Sequence, residues 1–140
     1  QSEGERNFHV FYQLCAGAPS DPSLADLKLQ GASNYSYISD HDQVVLTGVD
    51  DKAAFKDLKH SLTACGFSSA EQIDVFRCLA AILHLGNINF EANSAGDSSI
   101  AGGTSELELP AELLGVAVEQ LQEALLTRLV KAAGRSAVPK

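Results

Sequence analysis

The amino-acid sequence predicts a mostly α-helical fold with one small β hairpin. Apolar residues recur at three- and four-residue spacing along most of the chain, which is the period of a helix with a buried face. Strand-like alternation of apolar and polar residues is confined to short stretches near Ile88 and near Leu107. The 140 residues, 45% of them hydrophobic and 20% charged, have the size and composition of one globular domain, so residues 1–140 are expected to form a single segment.

The first predicted helix covers residues 5–16, and Gly17 is expected to follow its end. Its apolar stripe, at helical spacing, consists of Phe8, Phe11, Tyr12 and Cys15. A further helical turn is predicted over residues 23–29. Residues 30–49 are rich in turn formers, and within them residues 44–46 fit either a short extended piece or a buried loop.

The second long helix is expected to begin at Asp50 and Asp51, whose negative charges suit the positive end of a helix dipole. Gly66 is expected to end this helix, because glycine adopts the left-handed conformation of a helix C-terminus without strain. The predicted buried stripe consists of Phe55, Leu58, Leu62 and Cys65.

A capping-box pattern, Ser68 followed three residues later by Glu71, predicts the start of the next helix, which continues through residues 73–85. The apolar residues of this helix cover more than one face; they are Ile73, Val75, Phe76, Leu79, Ile82 and Leu83. A helix that is apolar on most sides is normally enclosed by other elements, so this one is expected to lie inside a larger assembly.

The C-terminal part is predicted to hold the β hairpin and the last helices. Residues 87–91 alternate like a strand, and the expected partner strand is 106–109. Residues 92–105 are rich in Ala, Gly, Ser and Thr, which predicts a flexible surface loop. Helical turns are expected after Pro110, and a final helix over about 118–130.

Charge is distributed unevenly along the chain. The net charge is −8, which argues against a nucleic-acid-binding domain. Residues 128–140 nevertheless hold four cations and no acid, so this basic tail carries +4 and the preceding 127 residues carry −12. The cations are Arg128, Lys131, Arg135 and Lys140. Such a tail either finds an acidic partner surface or is a solvated chain end.

The sequence itself offers no catalytic, cofactor-binding or metal-binding residue. It lacks the Gly-x-x-x-x-Gly-Lys-Ser/Thr phosphate loop and the Gly-x-Gly-x-x-Gly fingerprint. Its histidines and cysteines show no His-x-x-x-His or Cys-x-x-Cys spacing, so a zinc site is not expected. No apolar run approaches the ~18 residues of a membrane span.

Six individual residues raise separate expectations. The three cysteines, each in an apolar helical stretch, are expected to be reduced core residues; they are Cys15, Cys65 and Cys78. His9 and His84 are expected to be hydrogen-bonded packing residues. Arg77, within the most apolar helix, either reaches solvent or pairs with a carboxylate outside the chain.

Two long blocks of the sequence resemble signature segments of the myosin motor domain. The first block is residues 4–14, GERNFHVFYQL, continued by AGA at 16–18. The second, at the appropriate distance, is residues 76–90, FRCLAAILHLGNINF. Between them GVDD, followed by Phe55, is similar to the corresponding stretch of that family, and a weaker resemblance over residues 106–130 rests on LLGV and LLTR.

The resemblance implies a helical segment of the larger α/β P-loop NTPase fold of myosin, within the upper 50-kDa subdomain and between switch I and switch II. The parent motor would be an actin-activated ATPase that binds ATP and Mg²⁺, whereas this segment alone would have no enzymatic activity. Its implied partners are F-actin and the remaining parts of the same motor domain, with no nucleic acid and no membrane span. The implied location is the actin cytoskeleton of the cytoplasm.

The resemblance also suggests residues that contact actin. The loop 92–105 corresponds to a family surface loop that can contact actin or tropomyosin, but here it has no lysine. The basic tail lies where the family's cardiomyopathy loop begins, so Arg128, Lys131, Arg135 and Lys140 are the candidate actin-binding residues. Ser136 corresponds to a position that is acidic or phosphorylatable in many myosins. The alternative is a free-standing helical interaction module derived from a myosin segment, without ATPase activity.

Overall fold

The computed structural model describes residues 6–39, 46–92 and 97–128, together with the backbone of 138–139. The predicted alternatives for residues 44–46 therefore lie mostly outside the described residues. The chain divides into two compact units, residues 1–87 and residues 88–140. The division falls at the beginning of the predicted hairpin, after the first residue of its predicted strand 87–91, within what the sequence suggested to be one segment.

The first unit is helical. Its described α helices are α1 (His9–Gly17), α2 (Ser36–Ser39), α3 (Asp51–Ala64) and α4 (Ser69–Leu85). Three 3₁₀ segments, Ala18–Ser20, Pro22–Leu27 and Ala32–Asn34, connect α1 to α2. The helical turn predicted over 23–29 is thus a 3₁₀ segment, whereas the long helices α3 and α4 follow their predicted positions closely.

Local side-chain caps determine where α3 and α4 begin. Asp50 accepts a hydrogen bond of 2.9 Å from the backbone N–H of Ala53 at the start of α3. At the start of α4, Ser68 and Glu71 form the predicted capping box, in which each side chain accepts from the other residue's backbone N–H. Gly66 lies between the two helices with φ +93°, as its predicted left-handed role requires.

α1 and α3 approach each other closely at Gly17. A Cβ atom at this position would lie 2.1 Å from a ring carbon of Phe55, so no other residue fits without displacing the ring. Gly17 is the last residue of α1 instead of lying beyond it. Phe55 in turn packs against Phe76 of α4, with ring centroids 5.2 Å apart, and so joins the three helices.

A second cluster of buried side chains lies where α1, α2 and α4 meet. It consists of Phe11, Tyr12, Cys15, Tyr35, Ile38 and Leu83. The hydroxyl of Tyr12 donates to the backbone carbonyl of Ile38 at 3.2 Å, which satisfies its polar end. His84 lies with Nε2 2.9 Å from the carbonyl oxygen of Leu27, so its expected role as a hydrogen-bonded packing residue is confirmed.

Four residues that the sequence assigned to the core are exposed instead. Phe8 and His9 are both exposed, and they lie at the N-terminus of α1, which begins at His9, later than predicted. Cys65 lies at the C-terminal cap of α3, beyond its last buried turn, and Cys78 lies about 200° around α4 from buried Phe76. Only Cys15 is a core cysteine, and burial raises the pKa of its thiol to about 12.

The described residues of the second unit form a hairpin, two α helices, a 3₁₀ segment and a short strand pair. Its described elements are β1 (Phe90–Ala92), β2 (Ser98–Ile100), a 3₁₀ segment (Thr104–Leu107), α5 (Glu108–Leu114), α6 (Val118–Leu126), β3 (Thr127–Arg128) and β4 (Val138–Pro139). β1 pairs antiparallel with β2, in the register that places Phe90 opposite Ile100. β3 pairs antiparallel with β4.

The predicted hairpin exists, but its predicted partner strand is wrong. β2 comes from residues 98–100, inside the stretch interpreted as a loop, whereas the expected strand 106–109 is 3₁₀ and α-helical. Leu107 is fully buried, so its apolar character reflects core packing of a helical turn. The last helix ends at Leu126 because Thr127 adopts an extended conformation, about four residues earlier than predicted.

Candidate interaction surfaces

The basic tail lies almost entirely outside the described residues. Lys131, Arg135, Ser136 and Lys140 lie outside the described residues. For Arg128 only the backbone is described, where it pairs with Val138 between β3 and β4. The actin-binding and phosphorylation assignments therefore stay predictions.

The outer face of α4 is apolar and exposed. Val75, Cys78 and Ile82 follow one another at three- and four-residue spacing, so they share one stripe of the helix. Val75 is 37% exposed and Ile82 is 44% exposed. The inner face of the same helix carries Phe76 and Leu83, which are buried. α4 is therefore apolar on two sides, as predicted, but within the described residues only one side is covered.

The stripe continues from α4 onto an aromatic side chain of α2. Gly86 follows Ile82 by one helical turn, and a Cβ atom there would lie 3.1 Å from Cβ of Tyr37. Tyr37, itself 45% exposed, packs its ring edge-to-face against Phe11, with ring centroids 5.5 Å apart. Phe11 makes a similar contact of 6.4 Å with Phe8, which is 69% exposed.

These contacts link a series of exposed side chains of the first unit, which together we call the apolar band. Its exposed members are Phe8, Tyr37, Val75, Cys78 and Ile82. Single exposed apolar residues are common on proteins, but a contiguous apolar patch usually marks a surface that another element covers. The geometry therefore favours packing against protein outside the described residues.

Arg77 lies next to this stripe and faces solvent. Its guanidinium donates to the Asp74 carboxylate at 2.7 Å, and both side chains are largely exposed. Of the two alternatives for Arg77, the structure supports the one in which it reaches solvent, with an ion-pair partner one turn earlier on its own helix. A surface pair of this kind stabilises the helix only slightly.

Arg6 anchors the segment before α1, a role that no pattern in the sequence indicated. Its guanidinium makes two hydrogen bonds to the carboxylate of Asp51, at 2.6 and 3.2 Å, and lies 3.9 Å above the ring centroid of Tyr12. The Arg6 side chain is only 2% exposed. This fork, between residues 45 apart in the sequence, holds the chain beside Phe8 against the start of α3.

Among the residues that the structure describes, no group of three His, Cys, Asp or Glu side chains is placed to hold a metal ion. A search of the same residues for a helix with the length and hydropathy of a membrane span finds none.

Comparison with known proteins identifies a family that covers the whole sequence. The family model of the myosin head (motor domain) matches residues 1–140. The chain is 38% identical to human unconventional myosin-Vc over 138 residues, which is 99% of this chain and 8% of that protein. It is 40% identical to unconventional myosin IC of Drosophila melanogaster over 96% of this chain and 13% of that protein. The chain thus spans only a small part of the length of the curated relatives it matches.

Proposed function

Because the chain belongs to the myosin motor-domain family, we propose that it forms part of the upper 50-kDa subdomain of a myosin motor, driven along actin by ATP hydrolysis. In this proposal the segment contributes structure to the upper lobe and the actin-binding cleft, together with part of the actin-binding surface. The motor works in the cytoplasm, on the actin cytoskeleton.

The apolar band is the observation that carries this proposal. A chain that functioned alone would expose these side chains to water, at a cost of roughly 25 cal/mol for each Å² of apolar surface left uncovered. In a motor domain, the remaining parts of the same domain cover the band. The two-sided apolar pattern of α4 is then the pattern of an interior helix.

ATP and Mg²⁺ belong to the parent motor and not to these residues. The sequence has no phosphate-binding loop, and the described residues contain no group of three His, Cys, Asp or Glu side chains placed to hold a metal ion. In this proposal, other parts of the motor domain supply the nucleotide site. This segment would act as packed, rigid structure between that site and actin.

The basic tail provides the proposed contact with actin. Its four cations suit an acidic partner surface, and the chain before it is strongly acidic. Phosphorylation of Ser136 would add about −1.5 to −2 charges to this tail and weaken such a contact. Residues 92–105, which were predicted as a surface loop and include β2, contain no lysine and would contribute little electrostatic attraction.

The proposal is tested by cosedimentation of the motor domain with F-actin. Replacing Arg128, Lys131 and Arg135 with Ala should weaken binding by about tenfold at low ionic strength and much less at high salt, because exposed charges are screened. Arg77→Ala, which removes an exposed cation from α4, is the matched control and should leave the affinity unchanged. Equal affinities of the triple variant and the control at low salt would contradict the actin-binding role of the tail.

A free-standing interaction module remains the second candidate function. It predicts a protein without ATPase activity in which the apolar band stays accessible or binds a separate protein. The accessibility of the band in the natural protein distinguishes the two.

A further inference from the structure

The first unit has a concave surface that is separate from the apolar band. It lies between the end of α1 and the exposed face of α3, and encloses about 180 Å³. Its lining includes Asp21 and Pro22 on one side, Lys52, Lys56 and Lys59 on the other, and Phe55 at its base. We call this surface the lysine groove. A second depression, which reaches Phe76 of α4, adjoins it at Lys59.

The three lysines lie on one face of α3. Their spacing of four and three residues places them within one narrow stripe of the helix. Lys59 Nζ lies 2.5 Å from Oδ2 of Asp21, and this hydrogen bond is the main cause of the lowered pKa of that carboxyl group. Within the part of the chain that the structure describes, neither Lys52 nor Lys56 has an ion-pair partner.

The groove is positive although the unit around it is acidic. Residues 1–87 contain eleven Asp and Glu residues and only six Lys and Arg residues. Three of those six cations line the groove with a single acid, Asp21, which Lys59 already neutralises. The excess charge of Lys52 and Lys56 is therefore concentrated at one concave site, which attracts negative groups.

The base of the groove is apolar and recessed. Phe55 is almost completely buried, at 3% exposure, so only a narrow part of its ring faces the groove. A flat bilayer could touch the lysines but would not reach this base, whereas a side chain of an extended peptide could enter it. Concave sites with an apolar base and a charged rim recognise both features in one ligand.

We propose that the lysine groove binds an acidic peptide segment of a partner protein. Carboxylates of the peptide pair with Lys52 and Lys56, and an adjacent apolar side chain rests on Phe55 and Pro22. This surface is independent of the proposed function, because it involves neither the basic tail nor the apolar band, and its occupancy needs neither actin nor ATP.

The test is fluorescence anisotropy with the intact natural protein that contains residues 1–140. The probe is a labelled peptide of alternating Asp and Glu residues around one central Phe, compared with the same peptide carrying Asn and Gln instead. We expect the acidic peptide to bind at least tenfold more tightly at low salt, and its affinity to fall as salt is raised.

Two variants assign the binding to the groove. Replacing Lys52 and Lys56 with Gln should weaken acidic-peptide binding by about tenfold, whereas Arg77→Gln, the matched exposed cation on α4, should not. Because Lys52 and Lys56 are exposed and unpaired within the described residues, the substitutions should leave the unfolding temperature unchanged. If the double variant does not fold, Lys56→Glu alone serves as the second test.

Three results would overturn the proposal. The first is equal binding of the acidic and the neutral peptide. The second is loss of affinity that is the same for the groove variants and for Arg77→Gln. The third is absence of peptide binding while anionic lipid vesicles or single-stranded DNA bind in a way that depends on Lys52 and Lys56, which would assign the groove to a different class of ligand.

Discussion

The neighbouring helices α3 and α4 differ in what they present to the outside. α3 buries Phe55 and exposes a row of charged residues that includes Lys52 and Lys56. α4 buries Phe76 and exposes Val75 and Ile82. An amphipathic helix needs one partner surface, and α3 finds it within the first unit, whereas a helix with two apolar faces needs two. The difference indicates that α4 has a second partner outside the described residues.

The largest expected effect comes from disrupting the packing between the buried faces of α3 and α4. Phe76→Ala should destabilise the first unit by about 3–5 kcal/mol, because it removes a buried ring that packs against Phe55 and leaves a cavity. Urea unfolding of residues 1–140 expressed alone would measure this loss.

The outer face of α4 provides the control for that substitution. Ile82→Ala should cost less than about 1 kcal/mol in the same chain, since the side chain is already 44% exposed there. Equal losses for the two substitutions would contradict the assignment of one covered face and one uncovered face.

An effect between those of Phe76→Ala and Ile82→Ala is expected at the beginning of α3, where Arg6 binds Asp51. Arg6→Ala should destabilise the first unit by about 2 kcal/mol, because it leaves the Asp51 carboxylate partly buried without its bidentate donor. Arg6→Lys keeps the charge but not the fork, so it should recover only part of the loss. Thermal unfolding of the parent, Arg6→Lys and Arg6→Ala would measure their relative stabilities, which should decrease in that order. An Arg6→Ala variant as stable as the parent would disprove the anchoring role.

The smallest effect concerns the ion pair at the edge of α3. The hydrogen bond from Lys59, and then that from Ser23, lowers the pKa of Asp21 in the folded state below its usual value of 3.8. The stabilisation that the Asp21–Lys59 ion pair contributes is therefore complete above about pH 5. It is lost as the pH falls through the pKa of Asp21 in the folded protein. We expect less than about 1 kcal/mol, since the pair is partly solvated.

Asp21→Asn tests this contribution. It should lower the unfolding temperature slightly at pH 7, and the difference from the parent should shrink towards pH 3. A difference that stays constant or grows as the pH falls would contradict the sign derived from the lowered pKa.

Local signals made part of this fold predictable. The capping box of Ser68 and Glu71 and the left-handed Gly66 involve residues close in the sequence, so their patterns could be read directly. The contact of Gly17 with Phe55 and the fork between Arg6 and Asp51 join residues about 40 apart, and no local pattern encodes such contacts.

Other predictions failed because the same local sequence pattern is compatible with two different structures. The alternation around Leu107 suggested a strand, but the same apolar residue is buried by a 3₁₀ turn. β2 was not predicted because it lies in a stretch rich in Gly and Ser. Its strand conformation depends on pairing with β1, in which Phe90 lies opposite Ile100, and not on local composition. For the candidate site, helical spacing predicted two apolar faces on α4, but it could not show that Tyr37 extends one of them across Gly86.

The apolar band is expected to be covered in the natural protein, and its cysteine allows a direct measurement of this. Cys78 lies in the band, Cys65 is exposed outside it, and Cys15 is buried. The rate at which a thiol reagent labels each cysteine can be followed by mass spectrometry of the intact natural protein. We expect Cys65 to react rapidly and Cys78 to react only after denaturation, with Cys15 as the control for folding. Equal, rapid labelling of Cys65 and Cys78 in the folded protein would contradict the claim and favour a free-standing module.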